Sequence, residues 1–242
     1  MNKKAWEKSA KSFYDKESIL KKDYKYCRIF CRAYRKLSGI IDLNPLDLIL
    51  DAGCGSGEMS LALKDSVKFY CGVDISKKSL KLARLRNTSS SFVCADMTSL
   101  PISTKFNCIL AMTSLEFVYD KKKTLKDFFR LLSDSGHLYV EVRNADFILF
   151  RIFSPIMKYL IKLRIIIPYK AEEFVDLKYL EWKKVLDQAD FKIIREKKSI
   201  RPAIYGKPVT IIKNLIIKII SFIVPVSSQY MVGFLCVKKN NC

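Results

Sequence analysis

Short apolar runs and stretches of helical spacing alternate along the middle of this chain. LDLILDAG (46–53) is a continuous apolar run closed by glycine, which predicts a buried strand, with residues 57–66 as the helix behind it. VKFYCGVD (67–74) predicts a second strand. Ser76 stands where an N-cap belongs for the helix KKSLKLARLRN (77–87), in which Leu80, Leu82 and Ala83 keep helical spacing. SFVCAD (91–96) and FNCILAMTS (106–114) predict strands three and four. KKTLKDFFRLLSDSG (122–136) predicts a helix stopped by Gly136, and HLYVEVRN (137–144) a fifth strand that begins at His137. Unbroken apolar runs mark strands covered on both faces, and regular strand–helix alternation marks a parallel sheet. The predicted class is therefore α/β, a three-layer, doubly wound, mostly parallel sheet.

The pattern changes on either side of this core. Residues 5–39 read as helical, with aromatics scattered among lysines, until Asn44-Pro45 breaks them. Beyond residue 144, LKYLEWKKVLDQAD (177–190) predicts a helix, FKIIREKK (191–198) a strand and QYMVGFLCVKK (229–239) a terminal strand. No repeat or low-complexity linker divides the chain. Residues 1–242 are read as one domain: a helical cap (1–40), a core (41–144), insertions at 145–176 and 199–228, and the last strand. Both insertions are apolar with a narrow polar stripe, Arg151, Ser154, Lys158 and Lys162 in one and Thr210, Asn214, Lys218 and Ser221 in the other. The second has about 16 apolar-patterned residues and two internal lysines, too short and too charged for a span of about 20. Apolar helices edged with lysine suit a membrane interface; they suit equally a cover packed on the sheet.

Charge sharpens the contrast between core and flanks. The chain carries 44 Lys and Arg against 24 Asp and Glu, a net +20. By segment the balance is 12 to 4 over residues 1–40, 14 to 12 over 41–143 and 18 to 8 over 144–242, so the flanks hold the excess. Such flanks expect an anionic neighbour: a membrane surface first, nucleic acid second, because the insertions are aliphatic and poor in Arg. A composition that is 50% hydrophobic excludes a mainly disordered chain. Of eight cysteines, Cys71, Cys94, Cys108 and Cys236 fall in or beside predicted strands and read as free thiols of a reducing compartment. Cys27 and Cys31 have no second pair to complete a zinc site. The opening MNKKAWEKSAKSFYD has no apolar core of a secretory signal. The expected location is cytoplasmic, peripheral on the inner face of the membrane.

Chemistry concentrates at the ends of the first three strands. The first ends in Asp51-Ala-Gly53-Cys-Gly55-Ser-Gly57-Glu58, whose glycines allow a tight turn and close approach of a ligand. Its G-x-G-x-G spacing departs from the dinucleotide fingerprint G-x-G-x-x-G, since residue 58 is Glu. Asp74 closes the second strand about 20 residues on, where a carboxylate can accept from both hydroxyls of a ribose. Asp96 closes the third, followed by Met97: an acceptor for an exocyclic amine beside an apolar side chain to pack on a ring. A glycine loop with two strand-terminal acids describes a nucleoside site.

This arrangement resembles the class I S-adenosylmethionine-dependent methyltransferases, best over residues 47–143. ILDAGCGSG resembles that family's first motif, VDIS its ribose motif, ADM its adenine motif and FNCILAMTSLEFV its fourth-strand motif. The resemblance implies a seven-stranded sheet with the last strand antiparallel between the fifth and sixth. It implies S-adenosyl-L-methionine as cofactor, held by the backbone at Gly53, Gly55 and Gly57, by Asp51 near the amino group, by Asp74 and Ile75 at the ribose and by Asp96 and Met97 at the adenine. Tyr14, in a W-x7-Y start similar to the family's N-terminal cap, would close over it. The [D/N]PPY signature of adenine and glutamine amide methylation is replaced by Ala111-Met112-Thr113-Ser114, and no cysteine follows a proline there as cytosine C5 methylation requires. The expected acceptor is a small or lipid-like hydrophobic molecule. An RNA methyltransferase and a non-catalytic cofactor-binding scaffold are the alternatives. Methyl transfer needs alignment more than a base, so the candidates for catalysis, Glu116, Tyr119, Glu141 and Arg143, rest on their position at strand ends alone.

Overall fold

The computed structural model describes residues 41–146, 177–199 and 231–239. The N-terminal cap with Tyr14, and all but the edges of the two insertions, lie outside the described residues.

Seven strands, β1 (Leu48–Ala52), β2 (Phe69–Asp74), β3 (Ser91–Cys94), β4 (Phe106–Met112), β5 (Leu132–Arg143), β6 (Phe191–Ser199) and β7 (Met231–Lys238), form one sheet in the order β3-β2-β1-β4-β5-β7-β6. The first five pair in parallel, and β7 enters antiparallel between β5 and β6, as expected. Four described helices connect them: α1 (Glu58–Leu63), α2 (Lys77–Arg86), α3 (Lys121–Leu131) and α4 (Tyr179–Asp187), with a 3-10 turn at Leu115–Phe117.

Both faces of the sheet are buried. Ile49, Tyr70, Cys108, Leu110, Tyr139 and Leu235 join Leu80 and Ala83 of α2 in one core. Leu50, Val73, Ile109, Val140 and Phe234 join Leu125 and Phe128 of α3 and Trp182 of α4 in the other. Adjacent residues on one strand thus enter opposite cores, which is why the strands read as unbroken apolar runs.

Several boundaries differ from expectation. The helix expected over 122–136 ends at Leu131, and β5 begins at Leu132 rather than at His137. Phe106 pairs with Leu132 and Cys108 with His137, so β5 advances five residues against two on β4. Gly136 sits in this irregular stretch and stops no helix; a Cβ there would stand 2.9 Å from the Asn107 carbonyl. The strand around Val93 stops at Cys94, two residues before Asp96, because Asp96 turns the chain out of the sheet: its Oδ1 accepts from Thr98 N at 2.8 Å and its carbonyl from Ser99 N at 3.1 Å. β6 runs to Ser199, where the second insertion was expected to start. The Ser76 cap holds, its Oγ accepting from Ser79 N at 3.1 Å.

Candidate functional site

The carboxyl ends of β1, β2 and β4 meet around the glycine loop, at the point where strand order reverses between β1 and β4. The loop hooks onto β2: Gly53 N and Cys54 N both donate to the Val73 carbonyl, at 2.8 and 3.0 Å, and Gly57 N returns to Cys54 O at 3.0 Å. Gly53, Gly55 and Gly57 all have positive φ, at 87°, 56° and 77°. Their surroundings differ. A Cβ on Gly53 would overlap that of Ser114 and come within 3.3 Å of Met97 Cε, and one on Gly57 would lie 2.8 Å from Ala83 Cβ. On Gly55 the nearest atom would be Glu58 Oε2 at 4.0 Å. The outer glycines are therefore required by close protein packing, and Gly55 is the one that opens onto space a ligand can approach.

Asp74 organises this opening. Buried at 8% exposure, it accepts from Gly55 N at 2.9 Å through Oδ2 and from Ser76 N at 2.8 Å through Oδ1. One carboxylate thus holds the loop and the start of α2 in a fixed relation. Ile75, next in the chain, is half-buried. Asp51 is buried and accepts from the Tyr70 hydroxyl across the β1–β2 pair. Asp96 and Met97 are half-buried in the turn after β3, and the Met97 methyl reaches towards Gly53.

Two braces were not legible in the sequence. Ser114 Oγ donates to Ala52 O at 2.7 Å, tying the end of β4 to the end of β1. Thr113 before it has a φ of 53°, a strained value for a β-branched residue, and its N–H bonds Glu141 O at 2.7 Å. Arg86, at the far end of α2, donates to Ser56 O at 3.0 Å and pairs with Glu58 at 3.4 Å. The Glu that departs from the dinucleotide fingerprint therefore anchors the loop to α2. Neither brace has a local signal, since each joins residues about 30 to 60 positions apart. Cys54 lies buried in the loop, its Sγ set against Gly72, in the same core as Phe92. Burial, then the charge of Asp51 and of Asp74, pushes its thiol well above the ordinary value, which makes it an inert packing residue.

The candidates for catalysis separate into buried and exposed groups. Glu116 is fully buried and accepts from Arg143 N at 3.2 Å, with the guanidinium Nε at 3.8 Å. That pair clips the 3-10 turn to the end of β5, and the Arg143 guanidinium also lies 5.7 Å from the Phe117 ring centroid. Glu141 is buried beside the Tyr139 hydroxyl, which donates to it at 3.4 Å. Tyr119 is 55% exposed. The structure brings Gly55, Asp74 and Met97 to the glycine loop, with Asp51 buried against Tyr70 at the end of β1; Glu116 and Arg143 form a separate clip, and Tyr119 is exposed.

The fold and loop define a doubly wound nucleoside-binding domain. Residues 50–140 match the family model described as a methyltransferase domain. The chain is 30% identical over 106 residues to the ubiquinone biosynthesis O-methyltransferase of Idiomarina loihiensis, a match covering 40% of this chain and 43% of that protein. Among solved structures, a putative methyltransferase of Haloferax volcanii in complex with its Trm112 activator superposes with a TM-score of 0.62 at 16% identity, covering 93% of this chain and 97% of that one. Magnesium protoporphyrin IX methyltransferase of Synechocystis PCC 6803 with bound S-adenosylhomocysteine gives 0.60 at 16% identity, covering 88% and 83%. Residues 50–140 thus resemble a methyltransferase domain, whose cofactor would be S-adenosylmethionine, and the fold is that of solved methyltransferases. The residues present fit that cofactor: Gly55 is open where a Cβ would meet no backbone, and the Asp74 carboxylate faces the same edge.

Proposed function

We propose that this protein transfers a methyl group from S-adenosylmethionine to a small or lipid-like hydrophobic acceptor at or near an anionic membrane surface. The observation that carries the methyl-transfer reading is the Asp74–Gly55 clasp, a strand-end carboxylate that holds open a left-handed glycine loop. When bound, the cofactor would supply an electrophilic methyl on a sulfonium, open to in-line attack by the acceptor with S-adenosylhomocysteine as the leaving thioether. The chain's own task is alignment and exclusion of water. Asp74 orients the ribose, Met97 offers an apolar surface for the base, and Ser114 keeps the β1 and β4 ends at a fixed separation beside the reacting centre.

The acceptor reading is supported by relatives named for ubiquinone biosynthesis and for a magnesium porphyrin, both with large apolar parts, and by the basic, aliphatic flanks of this sequence. Among the described residues no helix is long and apolar enough to cross a membrane. The test is calorimetric titration of S-adenosylhomocysteine into the purified full chain. Wild type binds, and Asp74→Ala, which loses both loop bonds and the ribose acceptor, weakens binding by about 100-fold or more, two charge-assisted hydrogen bonds' worth. Equal affinity in the variant defeats the assignment of Asp74.

A further inference from the structure

Because α3 follows β4 and α4 follows β5, their first turns lie at the carboxyl edge of the sheet, the same edge as the site. Ala145 N donates to Leu177 O at 3.1 Å and Trp182 Nε1 to Arg143 O at 3.0 Å, which pins the start of α4 to the end of β5. Lys121 Nζ, at the start of α3, lies 5.8 Å from the Trp182 ring centroid, so the two first turns adjoin. What they present outward is unusual for helix N-termini. Tyr119 and Leu180 are 55% and 71% exposed, and Lys122, Lys123 and Lys178 stand exposed around them. Cations at these positions oppose the helix dipole, so local helix stability does not account for them. Two acids of the rim are engaged as caps, Asp120 accepting from Lys123 N at 2.9 Å and Glu181 from Lys178 N at 2.7 Å, and a third, Asp146, is half-buried beside Leu177. Lys77 and Lys78, exposed in the first turn of α2, carry the same sign at the same edge, and α2 contains no acid.

We infer that this rim, Tyr119 and Leu180 set among Lys122, Lys123 and Lys178, docks on an anionic lipid surface and holds the mouth of the site against it. Charge complementarity selects the occupant: lysines seek the headgroup level while the leucine and the tyrosine ring enter below it. A hydrophobic acceptor then passes from bilayer to site without crossing water. This assignment rests on the proposed acceptor class and adds the surface that meets the bilayer, on the first turns of α3 and α4.

Flotation of the full chain with phosphatidylcholine vesicles, and with vesicles containing phosphatidylglycerol, tests it, with S-adenosylhomocysteine titration in solution run in parallel. Wild type is expected to float with the anionic vesicles at low salt and not with the neutral ones. Each Lys→Gln change at 122, 123 or 178 lowers partitioning about fivefold, and the triple change about 100-fold. Leu180→Ser lowers it about tenfold. All these variants keep wild-type affinity for S-adenosylhomocysteine, which separates failure of docking from failure of the methyl-transfer reading. Absence of flotation, equal flotation on neutral vesicles, or variants that float like wild type overturns the inference. A dimer in sedimentation that these variants dissociate, with no flotation, assigns the rim to a second copy of the chain and overturns it as well.

Discussion

Replacing Gly53 by alanine tests the glycine loop at its tightest point. The new Cβ would stand 2.3 Å from Ser114 Cβ and 3.0 Å from its Oγ, so the two segments must part by about 1.5 Å to reach an ordinary carbon contact. Neither is free to yield: Ser114 is bonded to Ala52 O at 2.7 Å and Gly53 N to Val73 O at 2.8 Å. A φ of 87° for alanine costs about 1–2 kcal/mol and the overpacking about 1–3 kcal/mol, together about 2–5 kcal/mol. Urea denaturation reads this as lost stability, and titration of S-adenosylhomocysteine reads the part taken up by displacing Gly55. Adding Ser114→Gly removes the overlapping Cβ and restores about 1–3 kcal/mol, less about 1 kcal/mol for the lost bond to Ala52. Ser114→Ala keeps the Cβ and restores nothing. A Gly53→Ala protein within about 0.5 kcal/mol of wild type, or strict additivity with Ser114→Gly, refutes the account.

Other expectations follow from single contacts. Trp182→Phe leaves the Arg143 carbonyl without its indole donor and lowers stability by about 1–3 kcal/mol in the same urea assay. Of the five described cysteines, Cys54, Cys71, Cys108 and Cys236 are buried with thiols raised chiefly by burial, so native alkylation at pH 8 followed by peptide mapping labels Cys94 first; equal labelling of Cys54 would contradict the loop packing. Burial opposes the charge on Glu196, but hydrogen bonds from Lys183 and Tyr179 prevail and hold its carboxyl below the usual value. A depressed carboxyl stabilises above its unfolded value and loses that contribution as pH falls through the folded one. The wild-type advantage over Glu196→Gln, at most about 1 kcal/mol for so exposed a pair, is therefore present at pH 7, starts to fall near the ordinary glutamate value of about 4.3 and is gone only below the lowered folded value.

The extent to which the sequence disclosed this protein varies with the range of the interactions concerned. Period and apolar continuity depend on neighbours in the chain, so the seven strands, both buried sheet faces and the Ser76 cap were readable. The glycines and Asp74 were readable because a turn and a strand end are local events. Gly136 misled because glycine ends helices and also relieves crowding, and only the Asn107 carbonyl opposite shows which applies. Asp96 misled because an apolar run does not reveal that its own acid turns the chain away.

By itself the sequence determined the fold class, the strand succession, the loop and the acids at its rim, since each follows from periodicity and residue chemistry within a few positions. Only the tertiary structure decided which glycine faces open space, that Ser114 and Arg86 brace the loop, that Glu116 and Arg143 form a clip, and that two helix starts share one basic, apolar rim. Those facts depend on distances between segments tens of residues apart, and chain folding sets such distances through packing that no local pattern encodes.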